Sequence, residues 1–206
     1  AYHSLNMYNF MDKWFSRNPN DVFRAGNFQI SRGYKSSISN LSYGLSYILN
    51  TATRIDRNGT LYDYLASNGV KNDINKRRII LNSLQYLHVQ TTHQKRPKKV
   101  IISEILWDQT PSSKTFQFTD KKTNQTSVIS IDQYYQKRYN ITLKPDDIII
   151  EMIVKQNGQN QIINYPSSVL KISGLLDSEL NQRSLMKEIA EVTKIKPNDR
   201  KKKLDE

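Results

Sequence analysis

The chain has 206 residues, enough for one or two buried cores, and it contains no cysteine, which excludes disulfides and cysteine-ligated zinc. Thirty-one Lys and Arg against 19 Asp and Glu give a formal charge of +12, a balance that favours a polyanionic partner through release of its counterions. The longest apolar stretch, Ile148–Ile150 with Met152–Val154, is broken by Glu151 and is too short for a membrane span, and Ala1–Ser4 does not open a signal peptide.

In chain order, Met7, Tyr8, Met11, Trp14 and Phe15 recur at helical spacing behind Ser4, so a helix is predicted from Ser4 to Phe15, ended by Asn18-Pro-Asn-Asp21. Phe23 to Ile55 alternates loosely, with Gly26, Gly33 and Gly44 as breakers, and reads as a few short strands or extended linker. Thr60 with Asp63 opens a short helix to about Ala66, and Asp73–Leu84 a further one with Ile74, Ile80, Leu81 and Leu84 inward. Strands are predicted at Tyr86–Gln90, Val100–Ile105, Thr115–Phe118, Ser127–Ile129 and Ile148–Val154. Short strands with one inserted helix suit a small, partly open barrel in an α+β fold. A final amphipathic helix is predicted over Ser178–Lys194, ahead of the basic end Arg200–Lys203.

The inserted helix carries the most informative residues, Ser130-Ile-Asp-Gln-Tyr134-Tyr135-Gln-Lys-Arg138-Tyr139. Ser130 caps it and Gln133 reaches back to the free amides. At roughly 100° per residue, Tyr134 and Tyr139 stand about 140° apart and flank Arg138. Tyrosines beside a cation suit a nucleotide end, since rings stack on bases while hydroxyls and a guanidinium grip phosphate. The competing reading is a core-facing helix with amphipathic Tyr tips.

Tyr134-Tyr135-Gln136-Lys137-Arg138-Tyr139-Asn140 resembles the Y-[FY]-x-[KD]-[RQ]-Y-N segment of the PAZ domain in Argonaute and Piwi proteins. Three further stretches agree in order. Ile105-Leu-Trp-Asp-Gln-Thr-Pro111 followed by Thr115-Phe116 is similar to the Piwi-branch W-D-Q-N-P…T-F stretch. Gly174-Leu-Leu-Asp177 and Leu185–Thr193 are similar to the Piwi G-L-T-D…M-K-D-L-A-x-H-T run. The clear likeness covers about Leu87 to Arg200, and Arg17–Asn20 and Thr60–Asp63 are more weakly similar to a first linker and the entry helix.

The resemblance implies a small, partly open OB-like β-barrel with a β-hairpin and helix appendage, whose cleft holds the 3′ end of a guide RNA. It divides the chain into the helical end of a preceding domain (1–17), a first linker (18–57), the PAZ domain (58–172) and the start of a second linker (173–206). Carried over, Phe116 supports the terminal base, Tyr134 and Tyr139 donate to the last bridging phosphate with Arg138 beside them, and Tyr165 belongs to the returning strand. Hairpin packing is the other reading of Phe116, and Tyr135 is the expected core tyrosine. Where the family has a Tyr-Arg pair this chain has Val100-Ile101, and Lys98 and Lys99 in Gln94–Lys99 stand close enough to compensate, unless that run is a solvated loop. Thr92-His93 resembles a phosphate-contacting pair of the Argonaute branch, and His93 is either that contact or incidental. Ile162, Ile163 and Tyr165 lie where a niche for a 2′-O-methyl group would be lined.

The implied partners are a small single-stranded guide RNA and the remaining domains of a parent Argonaute, with no membrane, no cofactor and an intracellular setting, cytoplasmic or nuclear. No enzyme activity is expected, because the family's slicing carboxylates lie in a domain outside this stretch. Two other classes stay open: a basic module that binds nucleic acid or protein without reading ends, and a nuclease holding Mg²⁺ on Asp146, Asp147 and Glu151. For those carboxylates the alternative is a turn at Pro145–Asp147 and a solvent-facing strand residue at Glu151.

Overall fold

Twelve strands and five helices follow one another in the computed structural model, which describes residues 6–10, 12–42, 44–70, 73–94, 97–120, 124–156 and 158–194. The first part holds β1 (Met7–Phe10), β2 (Lys13–Ser16), β3 (Val22–Ala25), β4 (Phe28–Leu41) and β5 (Gly44–Arg57). Then come α1 (Leu61–Ser67), α2 (Ile74–Leu84), β6 (His88–Thr91), β7 (Lys99–Leu106), β8 (Thr115–Thr119), β9 (Thr126–Ser130) and α3 (Ile131–Tyr139). The chain continues with β10 (Ile149–Gln156), β11 (Gln159–Pro166), β12 (Leu170–Ile172), α4 (Asp177–Leu180) and α5 (Arg183–Thr193). These elements form two units, one from the residues up to Asn58 and from Gly174 onward, the other from Gly59–Ser173.

In the first unit an antiparallel sheet runs β1-β2-β4-β3, with β5 along the other side of β4. The helix predicted from Ser4 to Phe15 is instead the β1–β2 hairpin, with Tyr8 opposite Phe15 and Asn9 opposite Trp14. The reason is an ambiguity of spacing. Residues seven apart share a helix face, but they also face each other across a tight hairpin, and aromatic cross-strand pairs favour the second outcome. Tyr8 and Phe15 meet with ring centroids 5.9 Å apart. Ser4 and Met11, which the helix reading used, lie outside the described residues.

The short strands expected between Phe23 and Ile55 are two 14-residue strands, β4 and β5, in register from Phe28↔Arg57 to Leu41↔Gly44. Gly33 does not break β4. A Cβ there would stand 2.1 Å from the Trp14 carbonyl oxygen, so the absence of a side chain lets β2 close onto the strand. Against this sheet, Ala25, Ile30 and Ile189 form a core flanked by Leu185, Met186 and Val192 of α5. The single helix predicted over Ser178–Lys194 is split into α4 and α5. Glu179 explains the division: it accepts from the Leu176 amide at 2.9 Å and pairs with Arg57, which fixes a separate short first helix.

The second unit begins with the predicted capping box, in which the Thr60 amide donates to Asp63 Oδ2 at 2.8 Å. Asp73 caps α2 by accepting from the Asn75 and Lys76 amides. Ile80 and Leu84 of α2 are buried, but Ile74, expected inward, is the first residue of the helix and is 80% exposed. The antiparallel sheet runs β11-β10-β7-β6-β12, and its edge strands do not pair with each other, so the barrel is partly open. A register shift at Glu151/Met152 bends β10. Val89, Val100, Ile102, Ile105, Ile149, Ile150 and Met152 fill the interior together with Leu61 and Leu65 of α1. The β8–β9 hairpin and α3 form the expected appendage.

Asp147 joins the start of β10 to the turn after β11. It is buried, and its carboxylate accepts from the Ile148 amide, the Ser167 hydroxyl and the Ser168 amide. Asp146 accepts from the Tyr62 hydroxyl at 2.9 Å. Among the described residues no three acidic or histidine side chains are grouped to hold a metal ion. No helix of the described residues is long and apolar enough to cross a membrane.

Candidate nucleic-acid interface

Local rules of the chain place α3. Its N-terminus is boxed, with the Ser130 amide donating to Gln133 Oε1 at 3.3 Å and the Ser130 hydroxyl bonding Asp132. The Ile131 and Asp132 amides donate to the carbonyls of Lys114 and Pro111, which fastens the helix to the segment entering β8. Asn140, at φ +55°, ends it in the left-handed conformation that asparagine tolerates. Ile131 and Tyr135 are the buried side of this helix, so Tyr135 is the core tyrosine that the spacing indicated.

A second local device places His93. The Thr92 amide and hydroxyl both donate to the Val169 carbonyl, at 2.9 and 3.1 Å, and Lys98 donates its amide to Thr91 Oγ1 at 2.9 Å. The loop leaving β6 is therefore tied at both described ends, and His93 is held against α3. Its ring meets Tyr139 edge-on at 4.7 Å between centroids, Tyr135 at 5.2 Å and Tyr165 at 6.0 Å. On the appendage side, Tyr134 packs edge-on against Phe116 at 5.4 Å and Phe118 at 5.6 Å, and lies 5.9 Å from Tyr139. The two outer tyrosines of the decapeptide, 140° apart on an ideal helix, thus belong to one continuous set of rings.

Between the barrel and the appendage lies a cleft of about 640 Å³. Phe116, Tyr134, Tyr139, His93, Tyr165 and Ile163 line it, as anticipated, and Lys98 does too. Lys99 and Arg138 do not. Adjacent residues of an extended chain point to opposite faces, so Lys99 turns away where Lys98 turns in. Arg138 is exposed because Tyr135 and Tyr139 take the inward positions of the last turn. Gln94, Lys114, Phe118 and Asn164 also line the cleft and were not anticipated. For Phe118 the signal was present, since Phe116 and Phe118 are two apart on one strand and share a face. Lys95 and Arg96 lie outside the described residues, as do Asn157 of the β10–β11 turn and the Arg200–Lys203 cluster.

The electrostatics of the cleft are those of a phosphate site. Among the described residues its lining includes Lys98 and Lys114 and no carboxylate. Burial, then a hydrogen bond with Tyr139, pushes the Tyr134 phenol up to about 12, and burial likewise raises Tyr135 and Tyr165. At neutral pH these phenols stay protonated, so they can donate to an anion instead of repelling it. Burial, then the Lys98 charge, lowers His93, against an opposing hydrogen bond to the Val169 backbone. Such rings can stack on a base, and neutral donors beside ammonium groups can hold a phosphate.

Residues 62–196, well over half of the chain, match the family model for the PAZ domain. The chain is similar to Piwi-like protein Ago3 of Bombyx mori, with 25% identity over 175 residues, covering 82% of this chain and 18% of that protein. It is also similar to Protein argonaute-3 of Drosophila melanogaster, 26% identical over 98% of this chain and 23% of that protein. The chain therefore spans about a fifth of the length of these relatives. Among solved structures, its fold is like that of Drosophila Piwi, with a TM-score of 0.51 and 19% identity over 98% of this chain and 23% of that one. The chain belongs to the PAZ domain family, a nucleic-acid-binding module.

Proposed function

We propose that this region anchors the 3′ end of a small single-stranded guide RNA within a larger Piwi-type effector. The observation that carries this reading is the cleft itself, walled by tyrosine, phenylalanine and histidine rings, edged by Lys98 and Lys114, and, among the described residues, lined by no carboxylate. Phe116 stacks on the terminal base, a contact worth roughly 1–3 kcal/mol. Tyr134 and Tyr139 donate to the last bridging phosphate, and Lys98 and His93 face the same group. Ile163 and Tyr165, with Ile162 at the mouth, form an apolar niche that accommodates a terminal 2′-O-methyl group. Arg138 and Lys99 act at longer range, raising the local potential without touching the end.

On this reading residues 1–17 end a preceding domain, 18–57 and 173–206 are linkers, and the other domains of the parent are the protein partners. The region binds and does not cleave. A guide-RNA partner sets its place of action inside the cell, in cytoplasm or nucleus. Fluorescence titration with labelled single-stranded RNA ending in 3′ hydroxyl, 2′-O-methyl or 3′ phosphate tests the proposal. The hydroxyl and methyl ends should bind within about threefold of each other and the phosphate end at least about tenfold more weakly, a loss of about 1.4 kcal/mol. Affinity should fall with salt at a slope of about −0.7 per neutralised phosphate, and the four bases should differ little. Equal binding of all three ends would instead favour a basic module that ignores termini.

A further inference from the structure

Resting on the reading of the cleft as a 3′-end site, we propose that His93 is a proton-linked phosphate ligand. It is neutral in the free protein and takes a proton from solvent when a phosphodiester enters.

The geometry carries this. His93 is boxed by the rings of Tyr135 and Tyr139 from α3 and Tyr165 from β11, with centroids 4.7 to 6.0 Å away. Its Nδ1 is buried and has no hydrogen-bond partner within bonding geometry. Among the described residues, the charged and titratable groups facing it are those three phenols and the Lys98 ammonium at the entry to β7, while the turn after β11 presents the Val169 backbone. Among the described residues, Lys114 is the other cation of the lining and no carboxylate lines the cleft to hold a proton on the imidazole. Burial and the Lys98 charge accordingly lower its proton affinity.

A phosphodiester reverses that balance. It brings a negative charge into a site whose described lining holds no other, and an opposite charge within about 4–6 Å favours the charged form of a histidine. The proton goes to the ring nitrogen that carries none in the neutral form, and the imidazolium then donates to a phosphate oxygen. The sign of the linkage follows, because the bound state holds one more proton than the free state over the window between the two titrations. Affinity is therefore highest below the free-state titration of His93 and falls as pH rises through its bound-state titration. Above that point both states are neutral and affinity is flat.

The experiment is a titration of oligouridine RNA with a 3′ hydroxyl into the chain from about pH 5 to about pH 8.5, spanning the ordinary histidine range, at fixed ionic strength. Binding should be about tenfold tighter at the acid end, consistent with a shift of about one pH unit. The His93→Gln variant should lose this dependence and bind at every pH about as weakly as the unaltered chain does at the alkaline end. Should that variant fail to fold, proton NMR of the unaltered chain decides: the His93 imidazole should titrate at higher pH with RNA bound, while exposed His88 beside Lys99 should not move. A pH-independent affinity that still discriminates 3′ hydroxyl from 3′ phosphate, or an unmoved His93 titration, would overturn the proton linkage and leave the end-binding reading standing. Loss of end discrimination at every pH would remove that reading, and the linkage with it.

Discussion

Replacing both Tyr134 and Tyr139 by phenylalanine should weaken binding of single-stranded RNA with a free 3′ end about a hundredfold, with little change in the unfolding transition. Phenylalanine keeps the rings, and therefore the edge-on contacts of Tyr134 with Phe116 and Phe118 and of Tyr139 with His93. What it removes is two hydroxyl donors, and a hydrogen bond to a charged group is worth about 1.5–3 kcal/mol. Two such losses are not additive, since the hydroxyls are bonded to each other, which is why the expected effect is nearer two orders of magnitude than four. Equilibrium titration of the double variant beside the parent chain measures it. The same exchange at Tyr135 should affect stability more than affinity, because that ring is buried beneath the other two. A double variant that bound within about twofold of the parent would mean that the hydroxyls face no phosphate, a difference of under about 0.5 kcal/mol.

Asp147→Ala should destabilise the second unit by about 3–5 kcal/mol, the range for breaking a buried, hydrogen-bonded charge. Three donors depend on this carboxylate: the Ile148 amide at 2.8 Å, the Ser168 amide at 3.2 Å and the Ser167 hydroxyl. Removing it leaves them buried and unpaired. The consequence reaches the cleft, because the tethered turn presents the Val169 carbonyl that holds Thr92 and thereby His93. Loss of RNA binding should therefore accompany the loss of stability, and Asp147→Asn, which keeps an acceptor oxygen, should fall between the two. Denaturant unfolding followed by hydrogen exchange at the β10 amides measures the effect. A midpoint shift equivalent to less than about 1 kcal/mol would show that water replaces the carboxylate at no great cost.

The parts of this molecule that were legible in the sequence are those whose signal is local. Ser130 with Gln133 and Thr60 with Asp63 specify helix starts through side chains three residues apart, and both helices begin there. The ring set of the cleft was legible in part for the same reason, since Tyr134, Tyr135 and Tyr139 ride on a helix whose phase is fixed by its cap. What could not be read depends on partners distant in sequence. Tyr8 and Phe15 satisfy a helix and a hairpin equally, and only the pairing of Phe15 with Gly33 of β4 selects the hairpin. Gly33 looked like a strand breaker because its meaning lies in the approach of Trp14, nineteen residues earlier. Arg138 was expected at the phosphate because arginine suits it, but the inward positions of that turn belong to Tyr135 and Tyr139. Lys114 and Asn164 carry no motif of their own, and only the closure of β8 and β11 around one cavity brings them into it.

The central claim is that the last nucleotide of an RNA strand lies between the appendage rings and β11. The most direct measurement is photocrosslinking with RNA carrying a single photoreactive uridine, placed at the 3′ terminus or in the interior, with the joined peptides located by mass spectrometry. The terminal uridine should mark peptides containing Phe116 or Tyr134, and the interior one should not. Crosslinks that fall on the first unit, or that mark the same residues wherever the photoreactive base is placed, would contradict it.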